Sequence, residues 1–188
     1  MARLLIYDVS ERGFVGLTWK VGAFLFRWKF DKIIAAKDFE ECIVELKNLQ
    51  EKYDEVQFWG HGSPGFIFIN KEPSLGEFWL TLAKVLTPNA NVWLRVCSFA
   101  AGSVGKTMMS RISKTLNAKL MAYTYVIGTY ACQSGLRVVT PKDPPKWSSS
   151  EGLNKTVTPI KFYSSAPWLP RTNSAFAMSP PKWALDKD

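Results

Sequence analysis

The sequence predicts an α/β protein in which a mostly parallel sheet lies between two layers of helices. Apolar runs of strand length alternate with stretches of helical periodicity along residues 1–140. Strand and helix alternating at this pitch is typical of parallel sheets with a helical crossover after each strand. The composition agrees, because a chain that is 47% hydrophobic and 21% charged is globular rather than disordered. We therefore expect a three-layer α/β/α sandwich, with ligands at the carboxyl ends of the strands.

The individual elements follow from short apolar runs and from changes of period. The first strand ends at Asp8, and later strands are predicted at Lys32–Ala36, Asp54–Trp59, Phe66–Ile69, Asn91–Val96, Lys119–Tyr123 and Leu136–Val139. A helix is predicted from Asp38, which can cap it while Glu41 stands three residues later. Two more helices are predicted at Ser74–Leu86 and Gly102–Leu116.

Residues 14–30 (FVGLTWKVGAFLFRWKF) fit a helix or a hairpin equally well. Their aromatic residues are mixed with basic ones, a pattern that also suits a membrane surface. We expect instead that the apolar side chains of this segment cover the sheet. These are Phe14, Leu17, Phe24 and Phe26.

The organisation changes near Thr140, so we predict a domain at 1–140 and an extended tail, rich in proline and serine, at 141–188. Eight of the eleven prolines lie from Pro141 onward. Within this tail Pro-Pro-Lys-Trp occurs twice, ending at Trp147 and at Trp183. Such segments favour polyproline II, and a tryptophan can anchor them in a groove. The tail is therefore expected to wrap the domain, and it could cover the cleft.

The chain length and cysteine usage exclude several classes of protein. At 188 residues the chain can bury roughly 70% of its unfolded surface without a disulfide or metal. No apolar window approaches about 18 residues, so a transmembrane segment is not predicted, and residues 1–6 do not resemble a signal peptide. Three cysteines and one histidine fit a reducing cytoplasm better than disulfides or zinc. We expect no metal and no cofactor.

The net charge of +8 is unevenly distributed. Between Glu77 and Asp143 there is no carboxylate, and the cations there are Lys84, Arg95, Lys106, Arg111, Lys114, Lys119, Arg137 and Lys142. Such a field attracts acidic protein segments, anionic lipid or nucleic acid. A solvated basic face on the helices is the simpler interpretation. Nucleic acid is the least expected partner, because no recognised binding motif is present.

His61 and Cys97 are the candidate catalytic residues. His61 follows an apolar strand and is flanked by Gly60 and Gly62, and histidine is the natural general base near neutral pH. Cys97 ends another apolar strand and precedes a turn into a helix, whose N-terminus should lower the pKa of the thiol. Parallel strands bring such ends to one edge of the sheet.

Three further residues are candidates for, or neighbours of, the same site. Cys132, in YACQSG, is a competing nucleophile, whereas Cys42 falls on a predicted helix and is expected to be structural. Asp8 could bind a basic side chain of a substrate, although a carboxylate in this position also suits a turn cap.

A rival motif overlaps the Cys97 turn. Residues 100–107 (AAGSVGKT) fit a loose phosphate-binding loop between a strand and a helix. The loop is poor in glycine, and no Mg²⁺-binding carboxylate follows before Asp143. Nucleotide hydrolysis is therefore not expected.

A strand ending in His-Gly, a spacer and a strand ending in Cys resemble the caspase-like cysteine peptidases of clan CD. The longer match, VQFWGHGSPG followed by LTPNANVWLRVCSFAAGSVGK, is similar to a family of bacterial domains that carry HGSPG and a GC-type motif. The resemblance covers about residues 54–130. It lacks the caspase QAC-R-G pattern, for which Arg95-Val96-Cys97-Ser98-Phe99 stands here.

The resemblance implies a caspase-like fold and a cysteine endopeptidase acting on a protein or peptide. His61 would be the base, Cys97 the nucleophile, and the backbone N–H groups of Gly62 and Cys97 the oxyanion hole. The alternative is a catalytically silent caspase-like module that binds a protein or acidic partner through its basic face or its Trp/Pro tail.

Overall fold

The computed structural model describes residues 1–127, 135–154, 156 and 179–186. Nine strands lie in this part of the chain: β1 (Arg3–Asp8), β2 (Lys32–Ala36), β3 (Tyr53–Trp59), β4 (His61–Ser63), β5 (Phe66–Ile69), β6 (Glu72–Pro73), β7 (Leu86–Arg95), β8 (Lys119–Tyr123) and β9 (Leu136–Val139). Five α-helices accompany them: α1 (Phe14–Leu25), α2 (Phe39–Lys47), α3 (Gly76–Lys84), α4 (Gly102–Leu116) and α5 (Lys182–Leu185).

The main sheet has six strands in the order β2-β1-β3-β7-β8-β9. Neighbouring strands are parallel up to β8, and β9 joins that edge antiparallel. The crossovers carry α2, α3 and α4, which is the arrangement that the alternating pattern predicts. The predicted α/β fold with a mostly parallel sheet is confirmed.

Alternate residues of each strand point into opposite helical layers. Leu4 and Ile6 of β1 enter a large core with α2, α3 and α4, whereas Leu5 enters a smaller core with Ala23 of α1. At the other end of the sheet, Ala184 of α5 packs into a third cluster. Helices therefore cover both faces, and the carboxyl ends of β1, β3 and β7 meet at one edge.

Helix α1 overturns one expectation about the apolar side chains of residues 14–30. Phe14, Leu17 and Phe24 are 73%, 56% and 63% exposed instead of covering the sheet. The small residue Ala23 faces the sheet instead and is buried. Trp19 also packs against this inner cluster, whereas Phe14, Leu17 and Phe24 face outward.

A second sheet of three short strands, β4-β5-β6, is antiparallel and separate from the main sheet. The sequence did not predict β4, because Gly60–Gly65 is typical of a turn. His61 is the first residue of β4 and pairs with Phe68 of β5. The candidate base therefore lies on a hairpin that projects from the end of β3.

The described parts of the tail pack on the domain. Trp147 is buried, and its Nε1–H donates to the carbonyl of Ala100 at 3.0 Å. Trp183 is 38% exposed, so the two Pro-Pro-Lys-Trp copies differ in environment. The predicted boundary between residues 140 and 141 stays a prediction.

Four of the eight cations between Glu77 and Asp143 make contacts inside the protein. Arg95 is buried, with its guanidinium 4.7 Å from the rings of both Trp59 and Trp93. The other three are engaged as follows: Lys106 donates to the Trp147 carbonyl, Lys119 to the Leu185 carbonyl, and Arg137 to both oxygens of Glu151. The acid-free stretch is therefore not a single surface of free charges.

Candidate active site

Cys97 follows the last residue of β7 by two positions and begins a tight turn into α4. The next residue, Ser98, has a φ of 53°, in the left-handed region that non-glycine residues rarely adopt. Its N–H donates to the Tyr125 carbonyl at 2.9 Å, and its carbonyl accepts from Ala101 at 2.9 Å. Strained backbone held by such contacts is common at functional sites.

Gly62 lies directly against Cys97. A Cβ atom at Gly62 would be 2.7 Å from the Cys97 carbonyl oxygen and 2.7 Å from a methyl group of Val96, so only glycine fits. The same hairpin makes a second contact, in which the Gly65 N–H donates to the Phe99 carbonyl at 2.9 Å. The structure therefore brings the His61–Gly62 segment to the Cys97 turn, 35 residues away in the chain.

Glu11 and Trp19 hold the ring of His61. Nε2 of His61 is 3.1 Å from Oε2 of Glu11, and the Trp19 ring meets the imidazole edge-on with centroids 5.0 Å apart. The Gly13 N–H and the His61 ring both lower the pKa of Glu11, so its carboxylate is an acceptor. Nε2 of neutral His61 then carries the proton, which leaves Nδ1 as the basic nitrogen.

Sequence reasoning missed Glu11. It lies 50 residues from His61, and a glutamate shortly before a helix is typical of a helix start rather than of a histidine partner. A carboxylate just after the β1 end was the available signal, since β1 is a neighbour of β3 in a parallel sheet.

The expected lowering of the Cys97 pKa is wrong. Burial raises the pKa of the thiol, and a backbone hydrogen bond from Ile127 opposes this only in part. Sγ also donates to the Ile127 carbonyl at 3.6 Å, a contact that favours the protonated thiol. Cys97 lies five residues before Gly102, the first residue of α4, and the field of a helix end acts mainly within its first turn. The resting thiol is therefore protonated near neutral pH.

This raised pKa has a measurable effect on alkylation. We expect native Cys97 to react with iodoacetamide more slowly than a free thiol at neutral pH, and faster as the pH rises past 9.0, the ordinary thiol value. Cys42 should stay unmodified, because burial raises its pKa to about 12. Timed mass spectrometry at several pH values measures both. Unfolded protein, in which both thiols are accessible, is the control, and a Cys97 rate that is already maximal below neutral pH would contradict the expectation.

Asp8 is buried at the end of β1, and both oxygens of its carboxylate already accept hydrogen bonds. One oxygen accepts from the N–H and hydroxyl of Ser10 at 2.7 and 2.6 Å, and the other accepts from the Asn70 N–H at 3.4 Å. These contacts favour the turn-cap interpretation, and substrate binding by Asp8 stays a prediction.

An open cavity of about 700 Å³ lies beside this strand end. Its wall contains two carboxylates, Glu11 and Asp38, and four cationic residues, Arg12, Lys20, Lys37 and Lys71. Among the residues that the structure describes, only Lys37 of these four is paired with a carboxylate, Glu41 at 3.9 Å. The charge beside the candidate base is therefore positive.

In the possible phosphate-binding loop, residues 100–107, the backbone donors are already engaged. Three of its backbone N–H groups already donate to carbonyl oxygens, Ala100 to Tyr123, Ala101 to Ser98 and Gly102 to Glu151. The lysine of the motif, Lys106, donates to the Trp147 carbonyl at 2.6 Å. These contacts leave little room for phosphate oxygens at the start of α4.

The other candidates are less informative. Cys42 is fully buried in the core beneath α2, as expected of a structural cysteine, and Cys132 lies outside the described residues. Within the described ranges, no cluster of three or more His, Cys, Asp or Glu side chains is arranged to hold a metal ion. In that same part of the chain, no helix is long and apolar enough to cross a membrane.

No protein family and no curated protein matches the sequence. Among solved structures, the fold is similar to that of a secreted C11 cysteine protease from Bacteroides thetaiotaomicron, whose structure contains an irreversible peptide inhibitor. The identity is 9% and the TM-score 0.42, over 68% of this chain and 50% of the protease chain. At this identity the roles of individual residues do not transfer.

Proposed function

We propose that the protein is a cysteine endopeptidase in which Cys97 is the nucleophile and His61 the general base. The contact between Gly62 and Cys97 carries the proposal, because a base and a nucleophile from distant segments must meet to react. Strain at Ser98 and the carboxylate of Glu11 on the imidazole add support. Free thiols at Cys42 and Cys97 suit a reducing compartment such as the cytoplasm.

The mechanism starts from a neutral thiol. Nδ1 of His61 takes the Sγ proton as Sγ attacks the peptide carbonyl, so no resting thiolate is needed. The carbonyl oxygen becomes an oxyanion, which the backbone N–H groups of Gly62 and Cys97 would stabilise. The imidazolium gives its proton to the leaving amine, and a thioester acyl-enzyme remains. Water, deprotonated by the same ring, hydrolyses it and restores the thiol.

Glu11 has a positioning role in this scheme. Its carboxylate accepts a hydrogen bond from Nε2–H, which fixes the tautomer and stabilises the imidazolium that forms. The glutamate does not touch the reacting atoms. Its loss should therefore lower kcat more than it changes KM.

The substrate side of the proposal follows from charge. The cavity next to Glu11 carries Arg12, Lys20 and Lys71 as cations without a carboxylate partner in the described part of the chain. Acidic residues of a peptide would be attracted there, and basic ones repelled. We therefore propose that acidic peptides are preferred.

A peptide-based electrophile tests the function directly. A peptidyl chloromethyl ketone with an acidic residue should add its mass to Cys97 near neutral pH, since binding aligns the electrophile and His61 removes the thiol proton. Cys42 should remain free, and His61→Ala should slow the labelling of Cys97 strongly. If Cys97 reacts no faster with this reagent than with iodoacetamide, the peptidase proposal fails.

A catalytically silent interaction module is the second candidate. The observation that favours it is that Cys97 is only partly accessible and that burial raises the pKa of its thiol. This candidate predicts no labelling by any of a set of peptide electrophiles in the folded wild-type protein. The same experiment thus separates the two.

A further inference from the structure

The outer surface of α1 is an unusually large exposed apolar face. Four side chains at helical spacing form what we call the outer stripe: Phe14, Leu17, Val21 and Phe24, which are between 44% and 73% exposed. Leu25 and Trp28 extend the stripe, at 48% and 71% exposed. Scattered exposed apolar residues are normal, but a contiguous row of six marks a contact surface.

The charges around this face are all of one sign. Residues 12–30 contain four cations and no carboxylate; the cations are Arg12, Lys20, Arg27 and Lys29. The guanidinium of Arg27 lies 4.8 Å from the Phe24 ring centroid, and Nζ of Lys29 lies 4.2 Å from that of Trp28. The positive groups are therefore at the same level as the aromatic rings.

The carboxylates that flank the segment are both engaged elsewhere. Glu11 accepts from the Gly13 N–H and faces His61, and Asp31 accepts from the Arg3 N–H at 2.7 Å. Both carboxylates lie outside residues 12–30, and neither neutralises the positive charge of this face. The surface is thus apolar at its centre and cationic at its margin.

We propose that α1 docks the protein on an anionic phospholipid surface. Apolar side chains with a basic margin are what an interfacial helix needs, because rings enter the acyl boundary while cations meet lipid phosphates. Tryptophan favours that interface, as Trp28 would. A helix of 12 residues is about 18 Å long, too short to span the bilayer, so it lies in the interface plane.

A protein partner fits the face less well. The cores of protein–protein interfaces are depleted of lysine, and here Lys20 and Lys29 stand among the exposed rings. The proposal does not depend on catalysis, because the outer stripe and its neighbours Arg27 and Lys29 belong neither to the His61–Cys97 pair nor to the cavity beside Glu11. Lipid binding and peptidase activity can therefore fail separately.

The test is sedimentation of the full chain with vesicles. Wild-type protein should pellet with phosphatidylcholine vesicles that contain phosphatidylserine at about a quarter of the lipid, and much less with pure phosphatidylcholine, and high salt should release it. F24S/W28S should reduce the bound fraction about tenfold or more. R27E/K29E should reduce it similarly at low salt.

The matched control is L75S/L80S on the opposite helical layer. Leu75 and Leu80 are 69% and 60% exposed, so this variant removes the same kind of side chain from another surface and should pellet like wild type. Circular dichroism checks that every variant is folded. If F24S/W28S pelleted as strongly as the wild type, the proposal would be overturned. It would also be overturned if the wild type were a dimer in lipid-free buffer and this variant were a monomer, since the face would then be a self-interface.

Discussion

Replacing Cys97 with alanine should abolish peptide hydrolysis, with a fall in kcat of about 10⁴-fold or more, because Cys97 is the proposed nucleophile that forms the acyl-enzyme. His61→Ala should lower kcat by about 10²–10⁴-fold, the usual contribution of a general base. The double variant should be no worse than Cys97→Ala, since the two residues act as one unit. Initial rates on a peptide that the wild type cleaves measure all three.

The control for the dyad is Cys42→Ala, which removes a thiol from the core beneath α2 and should cost stability but little activity. Glu11→Ala should lower kcat about tenfold with KM nearly constant, and Glu11→Gln should recover part of the loss because its amide oxygen still accepts from Nε2. Full activity of Cys97→Ala would assign any hydrolysis to another group. If both Glu11 variants changed KM to the same extent, the positioning role of Glu11 would be contradicted.

Replacing Trp147 with alanine should lower the free energy of unfolding by about 3–5 kcal/mol, the usual cost of emptying a buried tryptophan site. The change removes a ring in the main core and the hydrogen bond to the Ala100 carbonyl. For a chain of this size the melting temperature should fall by roughly 10 °C. Denaturant titration and thermal melts provide both quantities.

Trp183→Ala is the matched control, because the same tetrapeptide precedes a tryptophan that is 38% exposed. Its cost should be about 1–2 kcal/mol, since less surface leaves water when it folds. Ala100 belongs to the turn after Cys97, so Trp147→Ala should also speed alkylation of Cys97 while Trp183→Ala should not. If both variants lowered the free energy of unfolding equally, the buried contact of Trp147 would contribute no more to stability than the exposed Trp183 does.

Much of the fold could be predicted because its elements have regular patterns. The strand Lys119–Tyr123 and the helix Gly102–Leu116 have the predicted bounds, since a buried strand is largely apolar and a helix face repeats every 3.6 residues. Asp38 caps α2 as predicted, accepting from the Glu41 N–H. These signals are local, so the sequence carries them in full.

The features that the sequence did not predict have physical reasons too. The three residues His61–Ser63 are too few to show a period, and the glycines at positions 60 and 62 are typical of a turn. Helix α1 was ambiguous because its large residues face outward, against the usual rule that apolar residues fill the core. The Glu11–His61 contact depends on strand order, which no local pattern contains.

For the site, the sequence indicated which residues to examine but not their state. The positions of His61 and Cys97 at strand ends indicate a shared site, and their roles in it stay predictions. The thiol pKa was expected to move in the wrong direction, because the sequence shows a nearby helix but not the enclosure of Sγ. Burial depends on the packing of the whole fold.

The hairpin that carries His61 belongs to a different sheet from the strand that leads to Cys97. The separation of His61 and Cys97, the proposed base and nucleophile, is therefore set by how two sheets pack together and not by one shared ladder of hydrogen bonds. A misplacement of about 1 Å can cost about 100-fold in rate. Anything that tilts the small sheet would act as an on–off control of the chemistry, with the six-stranded sheet left unchanged.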